Sequence, residues 1–103
     1  MSGLPANRSD APHTRGRILI VDDDLGVCGG LRRAFEAFGY AVHIAMSRAD
    51  AVAEVKRVKF DVILMDWALP DGEGPDVIRT LRGVGVSCPE ITITGVPGWE
   101  SRM

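Results

Sequence analysis

Apolar residues along the chain fall into runs whose spacing switches between that of strands and that of helices. Ile18 to Val21 is an unbroken apolar run halted by three acids, Asp22, Asp23 and Asp24. That is the pattern of a central strand buried on both faces and opening onto a polar loop. From Leu25 to Phe38 the apolar residues Val27, Leu31, Ala34, Phe35 and Phe38 recur three and four positions apart, one stripe of a helix, with Gly39 as its stop. Gly29 and Gly30 weaken that helix by about 1 kcal/mol each relative to alanine, so it has to lean on tertiary packing. Tyr40 to Ala45 then alternates, with Val42 and Ile44 on one face and His43 on the other. This predicts a half-exposed edge strand that turns His43 to solvent.

Ser47 followed by Asp50 resembles a capping box, and Val52, Val55 and Val58 recur every third position, so a second helix is predicted to about Arg57. A third strand lies in the segment FDVILMDWALPDGEG, Phe60 to Gly74, and ends on Asp66. Pro70, Asp71, Gly72 and Gly74 predict a turn, Pro75 suits a first helical position, and Val77, Ile78 and Leu81 make a short helix that Gly83 ends. Beyond Pro89, Ile91 to Thr94 reads as a fourth short strand. Strands alternating with helices in this way predict an α/β fold, a parallel sheet with helices on both faces. Residues 1–16, rich in Gly, Pro, Ser, Asn and Arg without periodicity, read as a flexible N-terminal tail, and 17–103 as one domain.

Composition narrows the class. A chain of 103 residues holds one small domain, which buries roughly 65% of its unfolded surface. With 46% apolar and 25% charged residues it reads as a soluble globular protein, and a net charge of -2 leaves no footprint for nucleic acid or an anionic membrane. No apolar run approaches the roughly 18 residues of a spanning helix, and the N-terminus lacks a signal-peptide segment. A cytoplasmic location is therefore expected. Cys28 and Cys88 lie in unrelated segments without metal-ligand spacing, so both are expected to be reduced, partly buried thiols.

In a parallel sheet the carboxyl ends of all strands share one edge, which should bring Asp22, Asp23, Asp66 and Thr94 together. Carboxylates this close repel unless a cation sits among them, and a set of oxygen donors without His or Cys suits Mg²⁺. One carboxylate is then free to act as a nucleophile toward phosphorus, forming an aspartyl phosphate, with the Thr94 hydroxyl bonding a phosphoryl oxygen. Each position also has a plainer role: Asp22 or Asp24 capping the first helix, Asp66 capping a turn, Thr94 serving as an ordinary strand residue.

Together, ILIVDDD at 18–24, VILMDWALPDGEG at 62–74 and ITITG at 91–95 resemble the receiver domain of two-component response regulators, and the likeness runs through the chain after Gly16. The resemblance implies a flavodoxin-like, doubly wound parallel sheet, truncated here after the fourth strand. It makes Asp66 the phosphoacceptor, Asp22, Asp23, Asp66 and the Ala68 carbonyl the Mg²⁺ ligands, and Thr94 the switch hydroxyl, with the small Gly95 beside the phosphoryl group. It implies a histidine kinase or phosphotransfer protein as partner. The sequence departs from the family after Gly95, where a further strand, its essential lysine and the flanking helices have no counterpart before Met103. The lysines are Lys56 and Lys59, and Lys59 precedes Asp66 by seven residues of strand, roughly 23 Å.

Three functions follow. The first is a single-domain receiver, a phosphoacceptor rather than a turnover enzyme, which pairs with itself through the exposed fourth-strand edge or the first-helix face. The second is a switchless interaction module on the same scaffold. The third is a phosphohydrolase of the haloacid dehalogenase kind, suggested by Asp22-x-Asp24 and Thr94 but lacking that family's lysine, later acid pair and cap. DNA binding ranks below these, since no basic patch or helix-turn-helix segment is present.

Overall fold

The computed structural model describes residues 15–66 and 68–92. Strand β1 (Gly16–Val21) is followed by helix α1 (Leu25–Ala37), β2 (Tyr40–Ala45), α2 (Arg48–Arg57) and β3 (Val62–Met65). A hairpin of β4 (Ala68–Leu69) and β5 (Gly72–Glu73), helix α3 (Gly74–Gly83) and β6 (Glu90–Thr92) complete the described chain. The main sheet runs β2-β1-β3-β6 and is parallel at every pairing, the strand order of a flavodoxin-like doubly wound sheet.

Alternation along each strand sends side chains to opposite faces. Leu19, Val21, Ile63 and Met65 face α2 and α3, where they meet Ala51, Val77 and Leu81. Ile18, Ile20, Val42 and Leu64 face α1, against Cys28, Leu31 and Phe35. The unbroken apolar run of β1 is thus explained by burial on both sides.

The helix ends follow from local chemistry. Asp24 caps α1 by accepting from the Gly26 and Val27 amides, at 2.9 and 3.1 Å, and Ser47 caps α2 by accepting from the Asp50 amide at 3.1 Å. Asp50 returns a long 3.4 Å bond to the Met46 amide rather than to the cap residue itself, so the box is only partly closed. Gly39, at φ 96°, stops α1 in the left-handed region that glycine enters without strain.

Helix α3 ends on Gly83 as expected, and Gly85, at φ 103°, turns the chain beyond it. Other expectations need correcting. Phe38 is 69% exposed, while Cys28, absent from the expected stripe, is the buried residue of α1. The stripe is rotated because the face that meets Ile18 and Ile20 passes through Cys28. His43 does not point to solvent: its ring packs edge-on against Phe60, 5.2 Å between centroids, and its Nδ1 lies 2.9 Å from Glu54 Oε1. The turn after Asp66 contains a short antiparallel hairpin, and β1 reaches back to Gly16, placed in the tail from sequence, because its pairing with β2 extends to Gly16 opposite Tyr40. The fourth strand is described over Glu90–Thr92.

Candidate functional site

The acids at the strand ends are set by the last rungs of the sheet. The Asp22 amide donates to the Ala45 carbonyl at 3.0 Å, and the Asp66 amide donates to the Val21 carbonyl at 2.8 Å. Asp22, the residue after β1, is therefore tied to the end of β2, and Asp66, the residue after β3, to the end of β1. Asp23 follows Asp22 on the loop, and ligand oxygens of Asp22, Asp23 and Asp66 lie within 4.8 Å of one another. Asp22 is buried, Asp66 half-buried and Asp23 exposed, a gradient from the core to solvent.

Asp22 carries the strain of this arrangement. Its Oδ1 accepts from the Asp24 amide at 2.9 Å, and its carbonyl accepts from the Cys28 thiol at 3.2 Å. Burial pushes the Asp22 carboxyl above its ordinary value; the Asp24 amide opposes that rise, and the charges of Asp66, Asp23 and Asp24 add to it. Ionising Asp22 is therefore less favourable in the folded protein than in the unfolded chain. Burial likewise pushes the Cys28 thiol up, with Asp22 and Asp24 beside it, so Cys28 stays a neutral packing residue. Cys88 is half-buried and also free.

Excess negative charge, hard oxygen donors and a partly open position fit a small divalent cation, so the residues present suit Mg²⁺. Asp24 is not part of the cluster, since its side chain caps α1. This removes one acid from the Asp22-x-Asp24 pair that a phosphohydrolase of the haloacid dehalogenase kind would need. Ala68 begins β4, two residues after Asp66, and pairs with Glu73 of β5. Thr94 and Gly95 lie outside the described residues. Lys59 lines a cleft of about 270 Å³ with Phe60, Val86 and Cys88 at the start of β3, the edge opposite to Asp66, and Lys56 lies in the last turn of α2. Neither lysine reaches the acids.

One residue near the site escaped the sequence. Asp71, in the turn between β4 and β5, accepts from the Arg48 amide at 2.7 Å and the Ala49 amide at 3.1 Å. An acid beside Pro70 and Gly72 signals a turn, and nothing in the sequence shows that it reaches a helix more than twenty residues earlier.

The profile of the family described as "Response regulator receiver domain" matches residues 18–100. The chain is similar to the acid tolerance regulatory protein ActR of Rhizobium meliloti, 42% identical over 78 residues, which are 76% of this chain and 40% of that protein. It is similar to response regulator MprA of Mycobacterium tuberculosis, 36% identical over 78 residues, 76% of this chain and 34% of that protein. The chain thus spans less than half the length of these curated relatives. Among solved structures, a response regulator receiver domain protein (CheY-like) from Methanospirillum hungatei matches with a TM-score of 0.73 at 31% identity, covering 84% of this chain and 69% of that one.

Proposed function

Because this chain belongs to the response regulator receiver domain family of two-component signalling, we propose that it accepts a phosphoryl group on Asp66 from a histidine kinase or phosphotransfer protein. The observation that carries this reading is the convergence of the Asp22, Asp23 and Asp66 carboxylates within 4.8 Å. Asp22, Asp23, Asp66 and the Ala68 carbonyl would hold Mg²⁺, which when bound supplies charge neutralisation for the transferring phosphoryl group. Asp66 contributes the nucleophile: a carboxylate oxygen bonds to phosphorus, the phosphorus–nitrogen bond to the donor imidazole breaks, and the released ring nitrogen takes a proton. Its amide, tied to Val21, keeps the carboxylate from retreating. The protein is a phosphoacceptor rather than a turnover enzyme and works in the cytoplasm, binding a protein partner rather than nucleic acid or membrane. Among the described residues no helix is long and apolar enough to cross a membrane.

Incubation with a small phosphodonor and Mg²⁺ should label the wild type and leave Asp66→Asn unlabelled. A wild type that takes up nothing overturns the reading. A second reading is a receiver-fold interaction module without productive phosphorylation, since among the described residues neither Lys56 nor Lys59 lies beside the acids. Under that reading the same Asp66→Asn substitution leaves partner binding unchanged.

A homodimer is part of the proposal. Among the described residues β6 is the last strand of the main sheet, and Ile91, on the α1 face beside Leu64, is 52% exposed. An apolar side chain at the outer strand of the described sheet favours pairing through this edge or through the adjoining α1 face. Sedimentation equilibrium should show a dimer that Ile91→Asp weakens; a wild type that stays monomeric at high micromolar concentration refutes the pairing.

A further inference from the structure

The hairpin that follows Asp66 is too small to hold itself. It has two residues per strand, Ala68 opposite Glu73 and Leu69 opposite Gly72, and an isolated hairpin is marginal in water even at greater length. Its outer ends are fixed, since Asp66 is bonded to β1 and Gly74 is buried at the start of α3. Leu69 also packs against the core, and the tip beyond it carries Asp71.

Helix α2 leaves a complementary gap. Its first amides have no partner within the helix and need acceptors from elsewhere. The Ser47 hydroxyl serves the Asp50 amide, and its carbonyl the Ala51 amide. The amides of Arg48 and Ala49 are taken by the two oxygens of Asp71, one each, so the first turn is fully capped only when the hairpin is docked on it. The helix end carries a partial positive charge that a carboxylate complements. Those bonds, that from Arg48 first, hold the Asp71 carboxyl below its ordinary value. Gly72 next to it lies close under Arg48: a Cβ there would come within 3.5 Å of the Arg48 guanidinium and 3.4 Å of Val77. The helix being gripped is itself fixed, with Ala51 fully buried and Val52 and Val55 packed on the core.

We propose that Asp71 is a positioning residue for the phosphoacceptor site: by bridging the hairpin tip to the start of α2, it fixes the backbone at Ala68, whose carbonyl is the protein's remaining Mg²⁺ ligand. This rests on the reading of the acidic cluster given above. It assigns to α2, which contributes no ligand, the task of holding the loop that does.

The test compares two variants that uncap the same helix. Asp71→Ala removes the cap and the tether; Ser47→Ala removes a cap and leaves the tether. Calorimetric titration with MgCl₂ should show the Mg²⁺ midpoint of Asp71→Ala raised about tenfold, as for other groups that orient a metal ligand, with the Ser47→Ala midpoint unchanged. Amide hydrogen exchange at residues 68–73 should accelerate in Asp71→Ala only. Asp71→Asn, which keeps one acceptor oxygen, should recover part of both. Equal weakening of Mg²⁺ binding in Asp71→Ala and Ser47→Ala would show a general stability effect and overturn the role. A wild type that binds Mg²⁺ beside an Asp71→Ala protein that binds it equally well overturns the positioning role alone. A wild type that binds no Mg²⁺ overturns the reading of the cluster and this role with it.

Discussion

The two faces of the main sheet start from the same strands and end differently covered. On one, α2 and α3 lie over Leu19, Ile63 and Met65, all at 0% exposure. On the other, among the described residues, α1 alone covers Ile18, Ile20 and Leu64, and along β6 the same face leaves Ile91 52% exposed. The strands offer apolar side chains to both faces, so the contrast comes from the helices among the described residues, not from strand composition. Coverage is fullest beneath the helices that frame the loop after Asp66, and thinnest where a second copy is proposed to dock.

The largest test of that contrast pairs two leucines. Leu19→Ala empties a site closed on all sides, and should cost about 3 to 4 kcal/mol in urea unfolding, because the surroundings cannot collapse into the gap. Leu64→Ala, on the face with one helix, should cost about 1 kcal/mol less, since water and the α1 side chains can relax into the space. Equal losses would show that α1 seals its face as completely as α2 and α3 seal theirs, and the contrast would fail.

The same contrast explains what the sequence could show. Ile18 to Val21 and Tyr40 to Ala45 were legible as strands because burial on two faces and on one and a half faces leaves different apolar patterns. Ser47 and Asp50 marked the start of α2 because capping is local. Asp22, Asp23 and Asp66 could be grouped from sequence because every parallel strand ends on one edge, which is a property of topology rather than of contacts. Tertiary partners were not legible: Cys28 replaced Phe38 in the buried stripe, His43 found Phe60 and Glu54, and Asp71 found α2. In each case the deciding group lies on another element, and the residue's own neighbours in sequence carry no trace of it.

His43 and Glu54 also supply the smallest test, at the rim of the better covered face. Both side chains are 21% exposed, and Glu54 is bonded to Arg57 as well, at 2.9 Å. Burial is the largest single influence on Glu54 and raises its carboxyl, but the hydrogen bonds from Arg57 and His43 together outweigh it, and the carboxyl ends below its ordinary value of 4.5. A carboxylate depressed in the folded state adds stability at pH values above the unfolded value, and that stability is lost as pH falls through the folded one. Glu54→Gln should therefore lower stability at neutral pH by less than about 1 kcal/mol, the usual size for a partly exposed pair. Below about pH 4 the difference from wild type should shrink toward zero. A wild type and Glu54→Gln that differ by the same amount from pH 7 down to pH 3 would show that the contact acts through packing of His43 on Phe60 rather than through charge. In that case even the rim of the α2 and α3 face is held by apolar contact.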